Sequence, residues 1–144
     1  MAIDSIMVNS KTLEILAGLR SIERWLALIL TDTGLTVSQF KLLHQIAVRA
    51  PVTASVLSRE LGVTKASITT QLQELDKAGS ITLERNPEDR RSSLISLSDR
   101  GQIRMKVTMD NILNSEKQTG DKMLIAVLDN LQQLTQRINK GENK

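Results

Sequence analysis

Arg90 and Arg91 follow Asp89 at the end of a polar stretch, Asn86-Pro87-Glu88-Asp89, that separates two runs of strand-like residues. Guanidinium groups at the tip of a hairpin can enter a narrow minor groove or clamp phosphates, because each carries a permanent charge on a planar fork of donors. Asp89 itself repels phosphate, so its expected role is to orient one arginine through a bidentate pair. The competing reading is a solvated turn whose ion pair contributes under about 1 kcal/mol. A second polar set lies upstream, where Lys65, Ser67, Thr70, Gln71 and Glu74 oppose Ile68, Leu72 and Leu75 on a helical projection, with Thr69 at the flank. Ser, Thr and Gln can pair with base edges, Gln most selectively with adenine, and Lys can reach guanine or phosphate. On their own these residues describe a solvated helix face equally well.

The elements that must carry them decide between the two readings. Thr36 or Ser38 is placed to cap a helix bearing Phe40, Leu43, Ile46 and Ala47, which stops at Ala50 because Pro51 follows. Thr53 starts a short helix with Val56, Leu57 and Leu61, ended by Gly62, and Thr64 caps the next, which runs to Gly79. Two short helices joined at a glycine turn make a helix-turn-helix, with the polar set on its second helix. Beyond Gly79 the period changes to two: Ile81, Leu83 and Arg85 alternate with Thr82 and Glu84, and Leu94, Ile95 and Leu97 resume after the polar tip. This predicts a two-stranded wing. Ser98 then caps a long helix through Ile103 and Val107 to about residue 119.

Both ends of the chain carry narrow apolar seams. Ile15, Leu19, Ile22, Leu26 and Ile29 recur at spacings of four and three along a helix over 11–31. Leu124, Val127, Leu131, Leu134 and Ile138 do the same near the other end, with Asp121 placed as a cap and Gly141 as a stop. A small domain cannot easily bury two terminal seams as well as its centre, so a homodimer built from both ends is expected. The fold class is therefore mainly α with a small two-stranded β wing: residues 34–101 form a winged helix-turn-helix lobe, and 1–33 and 102–144 supply dimerisation helices.

Composition narrows the functional classes. The 144 residues are 40% hydrophobic with a net charge of +3, enough apolar content for a modest core. The charge is spread evenly: five basic against four acidic groups over 1–50, eight against seven over 51–104, and six against five over 105–144. Net charge thus singles out no nucleic-acid-binding segment, and any basic face must come from three-dimensional arrangement. With no cysteine and one histidine, His44, thiol-based oxidant sensing is excluded and no metal or cofactor is expected. Asp4, Asn9, Lys11 and Glu14 interrupt the N-terminal apolar residues, so neither a secretion signal nor a membrane association is expected. The expected location is the cytoplasm, at the nucleoid. No Cys-His, Ser-His-Asp or paired-carboxylate pattern stands at an interpretable spacing, so the chain does not read as an enzyme.

Asp89-Arg90-Arg91, followed by Leu97-Ser98 and Gly101, resembles the wing signature of the MarR transcriptional regulators. Gly34-Leu35-Thr36 to Gln39-Phe40, Leu57 to Leu61-Gly62-Val63, and Leu75-Asp76-Lys77-Ala78-Gly79 are similar to that family in the same order. The resemblance implies a dimer whose first and last helices interlock, with recognition helices in successive major grooves and wings at the flanking minor grooves. It implies base reading by Lys65, Ser67, Thr69, Thr70 and Gln71, and wing contacts by Asp89 and Arg91, with Arg90 adjacent. The implied function is a sequence-specific regulator, in the repressor sense, of a pseudopalindromic duplex with half-sites roughly 34 to 36 Å apart. Ser80-Ile81-Thr82-Leu83 departs from the family, which usually has an arginine near the start of the first strand, leaving Arg85 or Arg91 as partner for Asp89. Relatives that bind a small aromatic acid suggest an effector, but a chain with one Trp, one Phe and no Tyr gives an aromatic pocket little support. Trp25 reads as core or dimer packing. The alternative function is a winged-helix module that holds a protein partner and leaves the polar helix face and wing idle.

Overall fold

The computed structural model describes residues 10–142, so Asp4, Asn9 and the reading of the N-terminal stretch they interrupt lie outside the described residues. Helix α1 (Lys11–Leu30) starts where the Ser10 hydroxyl accepts the Leu13 N–H at 3.3 Å. It ends at Leu30 rather than at residue 31, because the chain tightens into a 3-10 turn, Thr31–Thr33, closed by Gly34 at φ 71°. Glycine carries no Cβ into that left-handed conformation, which costs other residues about 1–2 kcal/mol.

Thr36, and not Ser38, caps helix α2 (Val37–Arg49). Its hydroxyl accepts the Gln39 N–H at 3.1 Å, and Gln39 Oε1 accepts the Thr36 N–H at 3.1 Å, a reciprocal capping box. Leu42, Leu43 and Ile46 are buried on this helix, while Ala47 is exposed and Phe40 half-buried. Ala50 takes an extended ψ of 141° ahead of Pro51, as the proline ring requires of its predecessor. Helices α3 (Ala54–Leu61) and α4 (Lys65–Lys77) begin at Thr53 and Thr64, whose hydroxyls accept the Val56 and Ser67 N–H groups, and Gly62 at φ 65° turns the chain between them.

Strands β1 (Ile81–Arg85) and β2 (Ser93–Leu97) pair antiparallel, with Ile81 opposite Leu97, Leu83 opposite Ile95 and Arg85 opposite Ser93. Val52 joins the other edge of β2 through a pair of backbone bonds with Ile95, at 3.1 and 2.7 Å. The wing is thereby tied to the segment that precedes α3. Helix α5 (Asp99–Thr119) follows, and α6 (Asp121–Glu142) closes the chain.

Ile103 and Val107, which mark α5 in the sequence, are 66% and 52% exposed; Gly101, Met105, Thr108 and Ile112 form its buried line instead. Their spacings of four, three and four keep them on one face. At the start of α6, Asp121 lies inside the first turn rather than at the cap, because Gly120, at φ 116°, supplies the carbonyl that accepts the Leu124 N–H. A carboxylate there still faces the positive end of the helix dipole. Gly141 lies within α6, which runs on through Glu142.

The chain divides into two compact units, one ending at Thr108 and one beginning at Met109. In the first, Leu30, Leu42, Leu43, Ile46, Leu57, Ile68, Leu75 and Ile95 are at most 2% exposed. Burial of such side chains stabilises by about 1.5–3 kcal/mol each. The terminal seams have a different environment. Ile15, Leu19 and Ile22 on α1 are exposed and Leu26 and Ile29 half-buried; Val127, Leu134 and Ile138 on α6 are exposed and Leu124 and Leu131 half-buried. Leu13, Leu16 and Leu28 on α1, and Met123, Ile125 and Leu128 on α6, are exposed as well, so each apolar surface is broader than a single seam.

Candidate nucleic-acid interface

Helix α4 is the second helix of the turn. Ile68, Leu72 and Leu75 hold it against the core, each less than a tenth exposed, while Lys65, Thr69, Thr70 and Gln73 are exposed. The Thr69 and Thr70 hydroxyls each donate to the carbonyl four residues back, Lys65 O at 2.8 Å and Ala66 O at 3.1 Å. Their oxygens remain able to accept from an outside donor.

Ser67 and Gln71 sit elsewhere. Both are half-buried: Gln71 Nε2 donates to Ser67 Oγ at 3.2 Å, and Gln71 Oε1 is buried without a partner. They line a small cavity with Ser38 and Lys41 of α2. The cause lies in the helix period, since Gln71 follows Ile68 by three residues and precedes Leu75 by four, which puts it on the margin of the buried stripe. Glu74 belongs to the same flank, where its Oε2 accepts the Gln39 amide at 2.8 Å. Gln73 was open to the same projection: it follows Thr69 and Thr70 by four and three, so it shares their outward face.

The wing tip is closed by its own side chains. Asn86 Oδ1 accepts the Glu88 N–H at 3.1 Å, Asn86 Nδ2 donates to Ser92 Oγ at 3.0 Å, and Asp89 Oδ1 accepts the Arg91 N–H at 3.0 Å. Asp89 therefore organises a backbone turn, and among the described residues no ion pair joins it to Arg85, Arg90 or Arg91. A short carboxylate two residues ahead of an amide closes an Asx turn more readily than it meets a long, solvated guanidinium. Arg90 and Arg91 are left exposed at the tip.

The structure brings the two polar sets together. Lys65, Thr69, Gln73 and Asp76 of α4 line a cleft of about 320 Å³ with Thr53 and Ser55 at the start of α3 and Arg91, Ser92 and Ser93 of the wing. Two cationic side chains and several hydroxyls thus share one concave surface, with Asp76 the acidic group among them.

A clasp fixes the angle between α4 and the wing. Ser98 Oγ donates to the Gly79 carbonyl at 2.5 Å and accepts the Gly101 N–H at 3.0 Å, while the Ser98 N–H bonds to Ser80 O at 3.1 Å. A Cβ on Gly101 would overlap the Ser80 carbonyl, so only glycine lets α5 approach this closely. Arg104, one turn further along α5, donates to Ser80 Oγ at 3.2 Å and to the Thr33 carbonyl at 2.9 Å. Among the described residues no group of three or more His, Asp or Glu side chains is placed to hold a metal ion, and no single helix is long and apolar enough to cross a membrane.

Residues 33–92 match the model of the MarR family. The chain is 30% identical over 74 residues to the Uncharacterized HTH-type transcriptional regulator YdgJ of Bacillus subtilis (strain 168), a match spanning 51% of this chain and 45% of that protein. It is 28% identical over 98 residues to the Organic hydroperoxide resistance transcriptional regulator of the same organism, spanning 66% of this chain and 67% of the relative. Among solved structures, the transcriptional repressor CouR bound to a 23-mer DNA duplex superposes with a TM-score of 0.79 over 90% of this chain and 94% of that one, at 17% identity. The fold is thus the winged helix-turn-helix of that structure. The wing signature, the helix-turn-helix and the matched segment agree, and over residues 33–92 the chain is similar to the MarR family.

Proposed function

We propose that the protein is a sequence-specific regulator of transcription, in the repressor sense, that binds double-stranded DNA as a homodimer and has no enzymatic activity. The observation that carries this reading is the shared surface of α4 and the wing: outward Lys65, Thr69, Thr70 and Gln73 lie beside a tip bearing Arg90 and Arg91, and Arg91 lines the same cleft as Lys65 and Thr69. Helix α4 would enter the major groove and read base edges through Thr69, Thr70 and Gln73, with Lys65 reaching the adjacent phosphates. Ser67 and Gln71 would support the reading face from its flank. Arg90 and Arg91 would reach the flanking minor groove or its phosphates, with Asp89 holding the loop that presents them. That a repressor of the same fold is solved bound to a 23-mer DNA duplex supports the DNA-binding reading.

The dimer would be built from the exposed apolar faces of α1 and α6, with residues 34–101 as the DNA-binding lobe and 1–33 and 102–144 as the dimerisation part. A large unpartnered apolar surface is unusual on a monomer and favours association. Two-fold symmetry then makes the target a pseudopalindrome. The protein would act in the cytoplasm, at the nucleoid.

The test is selection of bound duplexes from a randomised pool by the purified protein. Enrichment of an inverted repeat is expected. Recovery of no enriched sequence, with the protein folded and dimeric, would instead support the protein-partner reading.

A further inference from the structure

Arg104 is the residue whose position the family signature does not explain. It is half-buried, and its guanidinium bridges two points far apart in sequence: the Thr33 carbonyl, in the turn that ends α1, and the hydroxyl of Ser80, which links α4 to β1. Ser80 is only 1% exposed, so this bond is sheltered from water. Gly34 at φ 71° leaves the guanidinium room, since a Cβ there would come within 3.3 Å of Nη2. Among the described residues no carboxylate pairs with Arg104, so the fork is spent on one neutral hydroxyl and one carbonyl.

We propose that Arg104 is a positioning residue that sets the pose of the DNA-reading lobe against α1, and through it the half-site spacing the dimer accepts. The inference rests on the DNA-binding reading given above. Thr33 lies one turn beyond the apolar face assigned to the dimer, and Ser80 lies at the root of both α4 and the wing. A planar fork with separate donor nitrogens fixes the two points relative to each other. A lysine has a single nitrogen on a flexible stem and can hold one of them well. Ser98 and Gly101 fasten α5 to the same Gly79-Ser80 corner, and Arg104 carries the connection on to the turn that follows α1; an exposed Lys41–Glu23 pair also joins α2 to α1.

The experiment compares wild type, Arg104→Lys and Ser80→Ala on duplexes carrying the selected half-sites with the spacer lengthened or shortened by one and two base pairs. Salt slope and sedimentation are measured alongside. Wild type should prefer one spacing sharply. Both variants should remain dimeric and keep the wild-type salt slope, because no phosphate contact is removed. Their affinity for the best spacing should fall roughly tenfold, the effect of losing about one charge-assisted hydrogen bond. Their preference among spacings should flatten to within a few fold.

Since the chain lacks cysteine, one nitroxide placed at Lys77→Cys reports a single site per subunit, and the distance between the two labels should broaden in both variants. This readout needs no DNA. Wild-type spacing preference together with an unbroadened label distance, even at a lowered melting temperature, overturns the proposal and leaves Arg104 a purely structural residue. Wild type that binds no duplex at all overturns the DNA-binding reading instead, while the label distance still decides whether Arg104 fixes the lobe.

Discussion

Ser98 Oγ stands between two backbone groups, donating to the Gly79 carbonyl at 2.5 Å and receiving the Gly101 N–H at 3.0 Å. One hydroxyl thereby caps α5 and ties it to the end of α4. Replacing Ser98 by Ala should cost about 1–3 kcal/mol in a denaturant melt, the combined loss of a cap and a sheltered bond, and Ser98→Thr should recover most of it. Gly101→Ala should cost at least as much, because its methyl group meets the Ser80 backbone and not a side chain that can swing aside.

Asp89 offers a separation of two roles. Its Oδ1 accepts the Arg91 N–H, and the amide oxygen of an asparagine can do the same. Asp89→Asn should therefore keep the loop and, by removing a negative charge beside the phosphates, bind duplex DNA as well as or better than wild type. Asp89→Ala should open the turn and weaken binding. Equal damage from both substitutions would mean that the charge itself orients an arginine.

Gln71 and Gln73 should behave differently in base-substitution profiles. Gln71 is half-buried on the α2 flank with its carbonyl unpartnered, so Gln71→Ala should leave the preferred sequence unchanged. Gln73→Ala should relax discrimination at one base pair per half-site, by about 1–3 kcal/mol if the contact is bidentate. Specificity lost through Gln71 alone would move the reading face toward α2.

The association surface can be tested where it is open. Ile22 is 43% and Ile138 53% exposed on the single chain, so Ile22→Asp with Ile138→Asp should spare the core while burying two charges per subunit in any dimer. Sedimentation should show monomers, with helix content near wild type by circular dichroism and affinity for a palindromic site strongly reduced.

Much of this architecture was legible in the sequence because its signals are local. Thr53, Thr64, Gly62 and Gly79 mark helix ends through caps and left-handed turns, which nearest neighbours decide, and the strands announce themselves by period two. What remained hidden depends on contacts distant in sequence. The clasp of Ser98 on Gly79, the pairing of Val52 with Ile95 and the reach of Arg104 to Thr33 join segments whose approach no local pattern encodes. Charge alone points Asp89 to a guanidinium partner, yet the amide two residues away lies closer along the chain. On α4, the width of the buried stripe had to be seen before Gln71 and Gln73 could be told apart.

The most direct measurement of the central claim is fluorescence anisotropy of labelled duplex across a salt series, comparing the wild-type dimer with the Arg90→Ala, Arg91→Ala double variant. If Lys65, Arg90 and Arg91 of both subunits meet phosphates, log affinity should fall against log salt with a slope of about −5. The double variant should remain dimeric and lose about two to four units of that slope. Folded dimers with no affinity at low salt, or a double variant with the wild-type slope and affinity, would contradict the account.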